Sequence, residues 1–146
     1  MPNIKYVYEI KSRDFMSAGD ASAYIKSVLK KLGLDHEIIR RVAVAAYEAE
    51  LNIAIHSVGG VLTVEITPDY IDIIGEDRGP GIEDIALAMQ EGFSTAPEEI
   101  REMGFGAGMG LPNMKKCSDE FRIHSELGKG TKIFMRIYIG GGSNEQ

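Results

Sequence analysis

The sequence predicts an α+β protein, a two-layer α/β sandwich whose mixed sheet carries helices on one face. Three observations lead there. Residues 36–57 read as a helix that is apolar nearly all round and must therefore be buried. Short alternating, β-branched segments come in adjacent pairs, at 61–67 with 70–76 and at 120–125 with 132–139. The segments also run in the order β-α-α-β-β-α-loop-α-β-β, without the regular alternation of a doubly wound fold.

Taken in order, residues 4–11 set Tyr6, Tyr8 and Ile10 against Lys5, Val7 and Glu9, a strand with one buried face. Residues 21–32 follow with apolar side chains at helical spacing (Ala21, Tyr24, Ile25, Val28, Leu29, Leu32). Ser17 and Asp20 stand at capping positions before this helix, and Gly33 closes it. Asp35 is the expected N-cap of the long apolar helix, which Gly59-Gly60 ends. Pro68-Asp69 joins the next two strands as a hairpin turn. Residues 77–82, Asp-Arg-Gly-Pro-Gly-Ile, form a tight turn, 83–90 a short helix, and 92–110 a long glycine-bearing loop of the functional or disordered kind. A helix from about residue 109 to 117 leads to the last two strands, joined by Gly128-Lys129-Gly130, and residues 140–146 are expected to be a flexible tail. Residues 1–139 thus read as one domain.

The chain has 146 residues, enough to bury a core, and its 44% hydrophobic and 26% charged content is that of an ordinary globular protein. Neither a membrane-length apolar run nor a signal-peptide block is present, so a cytoplasmic location is expected. The single cysteine, Cys117, excludes an internal disulfide framework and a multi-cysteine zinc site. The net charge of −6 is uneven: residues 1–60 carry +1 and residues 61–146 carry −7. That sign argues against nucleic acid as a partner. An anionic ligand in the acidic half would need a metal ion and backbone donors to offset its charge.

Four features carry candidate chemistry. The stretch Gly104-Phe105-Gly106-Ala107-Gly108-Met109-Gly110-Leu111 places glycines at every second position and runs into a helix. It is either a plain surface loop or a backbone able to grip an anion, phosphate above all. Glu48, Asn52 and His56 interrupt the long helix at i, i+4 and i+8, in one line along its surface. They are either a solvated stripe or a ligand-holding one, in which the Asn52 oxygen suits Mg²⁺ and Glu48 could take a hydroxyl proton. His56 either brackets phosphates or packs the helix end. Asp77, before Gly79-Pro80-Gly81, either forms the turn or accepts a hydrogen bond from an exocyclic amine such as that of adenine. Thr131 is either the start of a strand or an added hydroxyl in the same pocket.

Together these pieces resemble a family. Residues 47–56, Tyr-Glu-Ala-Glu-Leu-Asn-Ile-Ala-Ile-His, are similar to the N box of the ATPases that include gyrase, Hsp90, sensor histidine kinases and MutL (GHKL). Residues 76–82 resemble their first glycine box, 104–111 the second, and Gly130-Thr131 the last, so the likeness spans residues 36–139. The small size, the run 91–95 (Glu-Gly-Phe-Ser-Thr), the Gly-Met-Gly-Leu-Pro segment and Asp119-Glu120-Phe121 resemble the anti-sigma-factor serine/threonine kinases, and among them the RsbT-type switch kinases.

The resemblance implies a Bergerat-type ATP-binding fold and an ATP- and Mg²⁺-dependent kinase. In it Asp77 binds the adenine amine, and Gly79, Gly81 and Ile82 line the ring. Asn52 holds Mg²⁺ and Glu48 is the general base. The segment with Ser94, Thr95, Gly104, Gly106, Gly108, Met109 and Gly110 would be a lid over the phosphates, and Leu111 and Thr131 complete the ATP-binding residues. The implied substrate is a serine or threonine of a STAS-domain antagonist, with a sigma factor or phosphatase regulator downstream; a nucleotide-gated binding module with little catalysis is the alternative. Homodimerisation is a further implication that no feature of the sequence itself shows. Glu50, Leu51, Phe105 and Ala107 are not matched to the family pattern, and the lid has extra residues at 96–103, with Arg101 its candidate cation.

Overall fold

The computed structural model describes residues 3–11, 17–56, 58–82, 85–90 and 110–139. Among them the elements are β1 (Ile4–Ile10), α1 (Asp20–Lys31), α2 (His36–His56), β2 (Gly60–Ile66), β3 (Tyr70–Asp77), α3 (Ile85–Ala88), α4 (Gly110–Cys117), β4 (Glu120–Glu126) and β5 (Gly130–Tyr138). The helices pack on one face of a five-stranded sheet ordered β1-β2-β3-β5-β4, as the α+β sandwich requires.

The sheet is not mixed, as the sequence suggests: every ladder among the described residues is antiparallel. The reason lies in the last hairpin. After β3 the chain crosses through α3 and α4 and enters β4 in the same direction as β3, but β5 folds back and inserts between the two strands. β1 and β3 are likewise parallel to each other and kept apart by β2. Same-sense strands therefore never become neighbours.

Alternation decides which residues meet the helices. Leu62, Val64 and Ile66 of β2, Ile71 and Ile73 of β3, and Ile133, Met135 and Ile137 of β5 point inward and are buried. Opposite them stand Ile25 and Leu29 of α1, Val42, Ala45, Ala46 and Ala49 of α2, and Met114 of α4. Each large aliphatic side chain buried this fully contributes about 1.5–3 kcal/mol of hydrophobic stabilisation. On the other face Asp72 and Arg136, paired in register, form a two-pronged ion pair at 2.7 and 2.9 Å. That hydrogen-bonded carboxylate raises the Arg136 pKa.

The helix caps divide into local and distant. Asp35 caps α2 as expected, its Oδ2 accepting the Glu37 N–H at 3.0 Å. At α1 neither Ser17 nor Asp20 supplies a side-chain cap; the N-cap residue is Gly19. The acceptor comes instead from α2, where Glu50 takes the Ala21 N–H at 3.2 Å and the Ser22 N–H at 3.1 Å. Glu50 is 2% exposed, and the α1 N-terminus is what makes its carboxylate tolerable there. At the β2–β3 turn Thr67 Oγ1 accepts the N–H groups of Asp69 and Tyr70 at 3.2 and 3.0 Å, which fixes the hairpin. No helix among the described residues is long and apolar enough to cross a membrane.

Candidate nucleotide site

The site is assembled from α2, the end of β3, the start of α4 and the β4–β5 hairpin. α2 packs on the sheet at Gly75 of β3, where a Cβ would stand 3.7 Å from both the Ala49 Cβ and the Ile53 Cδ1. Glu48 and Asn52 precede those two residues by one position each, so they lie about 100° round the helix from the buried stripe, on its flank. Both are half-buried. The flank faces α4: Asn113 Nδ2 donates to Glu48 Oε2 at 3.1 Å, and a Cβ on Gly110 would lie 3.4 Å from Glu48 Oε1.

The Glu48 carboxylate therefore stands at the first turn of α4, where main-chain N–H groups are unpaired within the helix. Pro112 contributes none, leaving those of Gly110, Leu111 and Asn113. Leu111 itself is part of the core at 8% exposure. The Asn52 amide makes no hydrogen bond to another described residue.

Asp77 ends β3 and sits between Gly60 on one side and Thr131 on the other. Both readings of this residue meet in its geometry. Oδ1 accepts the Gly79 N–H at 2.9 Å and the Thr131 N–H at 3.3 Å, which makes the turn; Oδ2 accepts no hydrogen bond from the described residues and remains for a donor. The turn then runs against the final hairpin. Gly81 has φ +85°, and a Cβ there would come within 2.4 Å of the Glu126 carbonyl oxygen, so only glycine fits. Gly128 N donates to Pro80 O at 2.9 Å, and Ile82 N donates to Ser125 Oγ at 2.7 Å. Across the hairpin Ser125 Oγ and Thr131 Oγ1 are 2.9 Å apart, and Thr131 is 7% exposed. Gly130 shows the same tight approach: its φ is +123°, and a Cβ would meet the Asp77 carbonyl oxygen.

A family model described as "Histidine kinase-, DNA gyrase B-, and HSP90-like ATPase" matches residues 37–140, nearly all of the stretch just described. The chain belongs to that family. Within it, the chain is 37% identical over 112 residues to the serine/threonine-protein kinase RsbT of Bacillus subtilis, covering 74% of this chain and 78% of that protein. It is 36% identical over 136 residues to an anti-sigma F factor of Thermoanaerobacter, covering 87% and 92%. The chain is an enzyme of this kinase and anti-sigma-factor branch. A crystal structure of the RsbU and RsbW domains of Rv1364c from Mycobacterium tuberculosis superposes with a TM-score of 0.60 at 18% identity, a likeness of fold alone. It covers 95% of this chain, which spans about a third (32%) of the length of that one.

In this ATPase-family chain, Glu48, Gly110 and Leu111 gather at one end of α4, and Asp77, Gly79, Gly81, Ile82 and Thr131 gather at the end of β3. Asn52 extends the Glu48 line by one turn. Ser94, Thr95, Gly104, Gly106, Gly108 and Met109 lie outside the described residues, as do Arg101, the rest of the expected lid and the tail at 140–146. Of His56 only the backbone is described, as the last residue of α2. Three residues absent from the sequence expectation belong to this architecture: Asn113, which holds Glu48; Ser125, which joins the Asp77 turn to Thr131; and Glu50, which ties α1 to α2. A signal for Ser125 is present, since it occupies the inward parity of β4 after Phe121 and Ile123.

Proposed function

We propose that the chain is an ATP-dependent protein serine/threonine kinase of a partner-switching module, acting in the cytoplasm as a single domain over residues 1–139. Its substrate would be a serine or threonine on a STAS-domain antagonist, and the phosphorylation would control a sigma-factor or phosphatase regulator. The observation that carries this reading is Glu48, held by Asn113 at 3.1 Å beside the opening turn of α4. There a carboxylate can accept the proton of an incoming hydroxyl while the adjacent main-chain donors face the phosphoryl group.

Other residues have supporting roles. Asp77 Oδ2 accepts the adenine amine, with Gly79, Gly81 and Ile82 along the ring and Thr131 beside the carboxylate. The acceptor oxygen attacks the terminal phosphorus as Glu48 takes its proton, and ADP leaves. Mg²⁺ suits the donor set, because Asn52 offers a hard oxygen one turn from Glu48. No group of three or more His, Cys, Asp or Glu side chains gathers among the described residues, so water and phosphate oxygens would supply its remaining ligands. When bound with nucleotide, the ion offsets charge on the transferring group. The segment with Ser94, Thr95, Gly104, Gly106, Gly108 and Met109 would close over the phosphates.

The test is label transfer from ATP, with Mg²⁺, to a STAS protein encoded beside this one. Glu48→Gln should lower transfer by roughly 100-fold or more, the loss of a general base, while ATP still binds. Undiminished transfer by this variant would remove Glu48 from its role, and no transfer to any neighbouring STAS protein would defeat the kinase reading. The anti-sigma F factor relative, at 36% identity, favours a second reading, in which nucleotide-gated sequestration of a partner is the output. A Glu48→Gln protein that still holds its partner in an ATP-dependent manner would support it.

A further inference from the structure

We infer that Asn113 is a positioning residue for phosphoryl transfer: its amide pins one oxygen of Glu48 and leaves the other, Oε1, to take the proton of the acceptor hydroxyl; this rests on the kinase reading above. A carboxylate has two equivalent oxygens and a terminal torsion with broad preferences, so a glutamate on the flank of a helix has no inherent reason to aim either one. Asn113 removes that equivalence. Its Nδ2 donates to Glu48 Oε2 at 3.1 Å. The direction of the bond is settled by the partners, because the carboxylate offers acceptors and the amide must therefore present its NH₂ and not its oxygen. Oε1 accepts no hydrogen bond from the described residues. The same turn keeps the space beside it open: Gly110 brings no side chain there, and a Cβ would already stand 3.4 Å from that oxygen.

The amide is held in place by contacts that do not involve Glu48. Leu111, Pro112, Met114 and Cys117 bury the other sides of α4. At the far end of that helix Arg41 of α2 donates from Nε to the Cys117 carbonyl at 2.9 Å and pairs with Asp119 at 3.0 Å. Arg41 and Glu48 are about two turns apart on α2, and Cys117 and Asn113 about one turn apart on α4, so both contacts lie along one seam in which the helices run in opposite senses. α4 therefore stays docked when the amide is removed, and what is lost is the fixed direction of the carboxylate. In the transfer step the acceptor O–H bond breaks and its proton goes to Oε1. The acceptor oxygen bonds to the terminal phosphorus, and ADP leaves with the electron pair of the broken P–O bond. Asn113 exchanges no proton in this step and acts through Glu48.

Label transfer from ATP to the STAS protein is measured on the full chain at varied ATP and acceptor, with thermal unfolding of each variant. Asn113→Ala should lower kcat roughly tenfold, the effect of a reacting group aimed less well, with both KM values within about threefold of wild type. Asn113→Asp is nearly the same size as the native residue and is favourable in the first turn of a helix, so its Tm should not fall below that of Asn113→Ala. It nevertheless sets a second carboxylate against Glu48, and its kcat should be the lower of the two. A side chain needed only for packing would rank them the other way. Added to Glu48→Gln, Asn113→Ala should change transfer by less than about twofold, since it acts through the residue already removed. An Asn113→Ala kcat within about twofold of wild type, an Asn113→Asp chain more active than Asn113→Ala, or a further loss of roughly tenfold on the Glu48→Gln background would each overturn the inference while leaving the kinase reading intact. A wild-type chain that transfers no label would overturn both.

Discussion

Glu50→Gln is the most direct probe of how α1 is held to α2. The wild-type carboxylate uses one oxygen for the Ala21 N–H and the other for the Ser22 N–H, at 3.2 and 3.1 Å, with the side chain 2% exposed. Glutamine keeps one acceptor and turns an NH₂ toward the second N–H. One buried main-chain donor then has no partner and faces another donor, and the charge that favoured the α1 N-terminus is gone. An unmet buried donor costs about 1–3 kcal/mol and the lost charge at a helix start about 0.3–1 kcal/mol, so a total near 2 kcal/mol is expected. For a chain of this length that is a fall of roughly 4–8 °C in Tm. Glu50→Ala should cost more, because the truncation leaves both main-chain N–H groups without their acceptor. Circular dichroism melts give the first readout. Hydrogen exchange gives the second: amides in the first turn of α1 should lose protection in Glu50→Gln well before those of β3 and β5. An unchanged melt with unchanged protection at Ala21 and Ser22 would refute the tertiary cap.

Gly81→Ala should destabilise the fold by about 2 kcal/mol, read as a lower urea midpoint, because it combines a left-handed φ with a Cβ placed 2.4 Å from the Glu126 oxygen. Nucleotide affinity should fall with it, since the turn that it displaces carries Asp77; a stable variant with full affinity would show that the turn does not need its contact with the hairpin. Cys117 is buried, and burial pushes its thiol pKa up, so the neutral form persists to higher pH than in a free thiol. Iodoacetamide at about pH 8, near the pKa of a free thiol, should label it slowly in the native chain and rapidly in urea, and equal rates in the two would contradict the packing of α4.

Local pattern in the sequence predicts elements well here, because the physics behind them is local. The Asp35 cap, the β2–β3 hairpin and the position of Asp77 at a strand end each depend on residues a few positions apart. The sheet's neighbour relations do not. Nothing within 120–139 says that β5 will insert between β3 and β4, and that insertion alone turns the expected mixed sheet into an antiparallel one. The same limit explains the α1 cap. Ser17 and Asp20 are the right residue types at the right spacing, yet the first-turn amides find a carboxylate 28 and 29 positions away. Glu50 looks like an unmatched residue between Glu48 and Asn52 only while its partner is out of view.

The candidate site divides along that line. Asp77 and Thr131 are 54 residues apart and are brought together through strand register, a relation that motif order can suggest and only the ladder can make specific. Glu48 and Asn52 share a helix face by spacing, but what faces Glu48 is Asn113 of α4, whose approach depends on how α2 and α4 pack. Ser125 is the least visible of these residues, since a serine carries no motif. Its importance follows from where two segments converge on one oxygen: the turn through Ile82, and the start of β5 through Gly130 and Thr131. Residue types suited to a chemical role can be read from sequence when the suitability is their own, as with Glu48 and Asp77. A residue whose role is to orient another becomes legible only once the neighbours are in place.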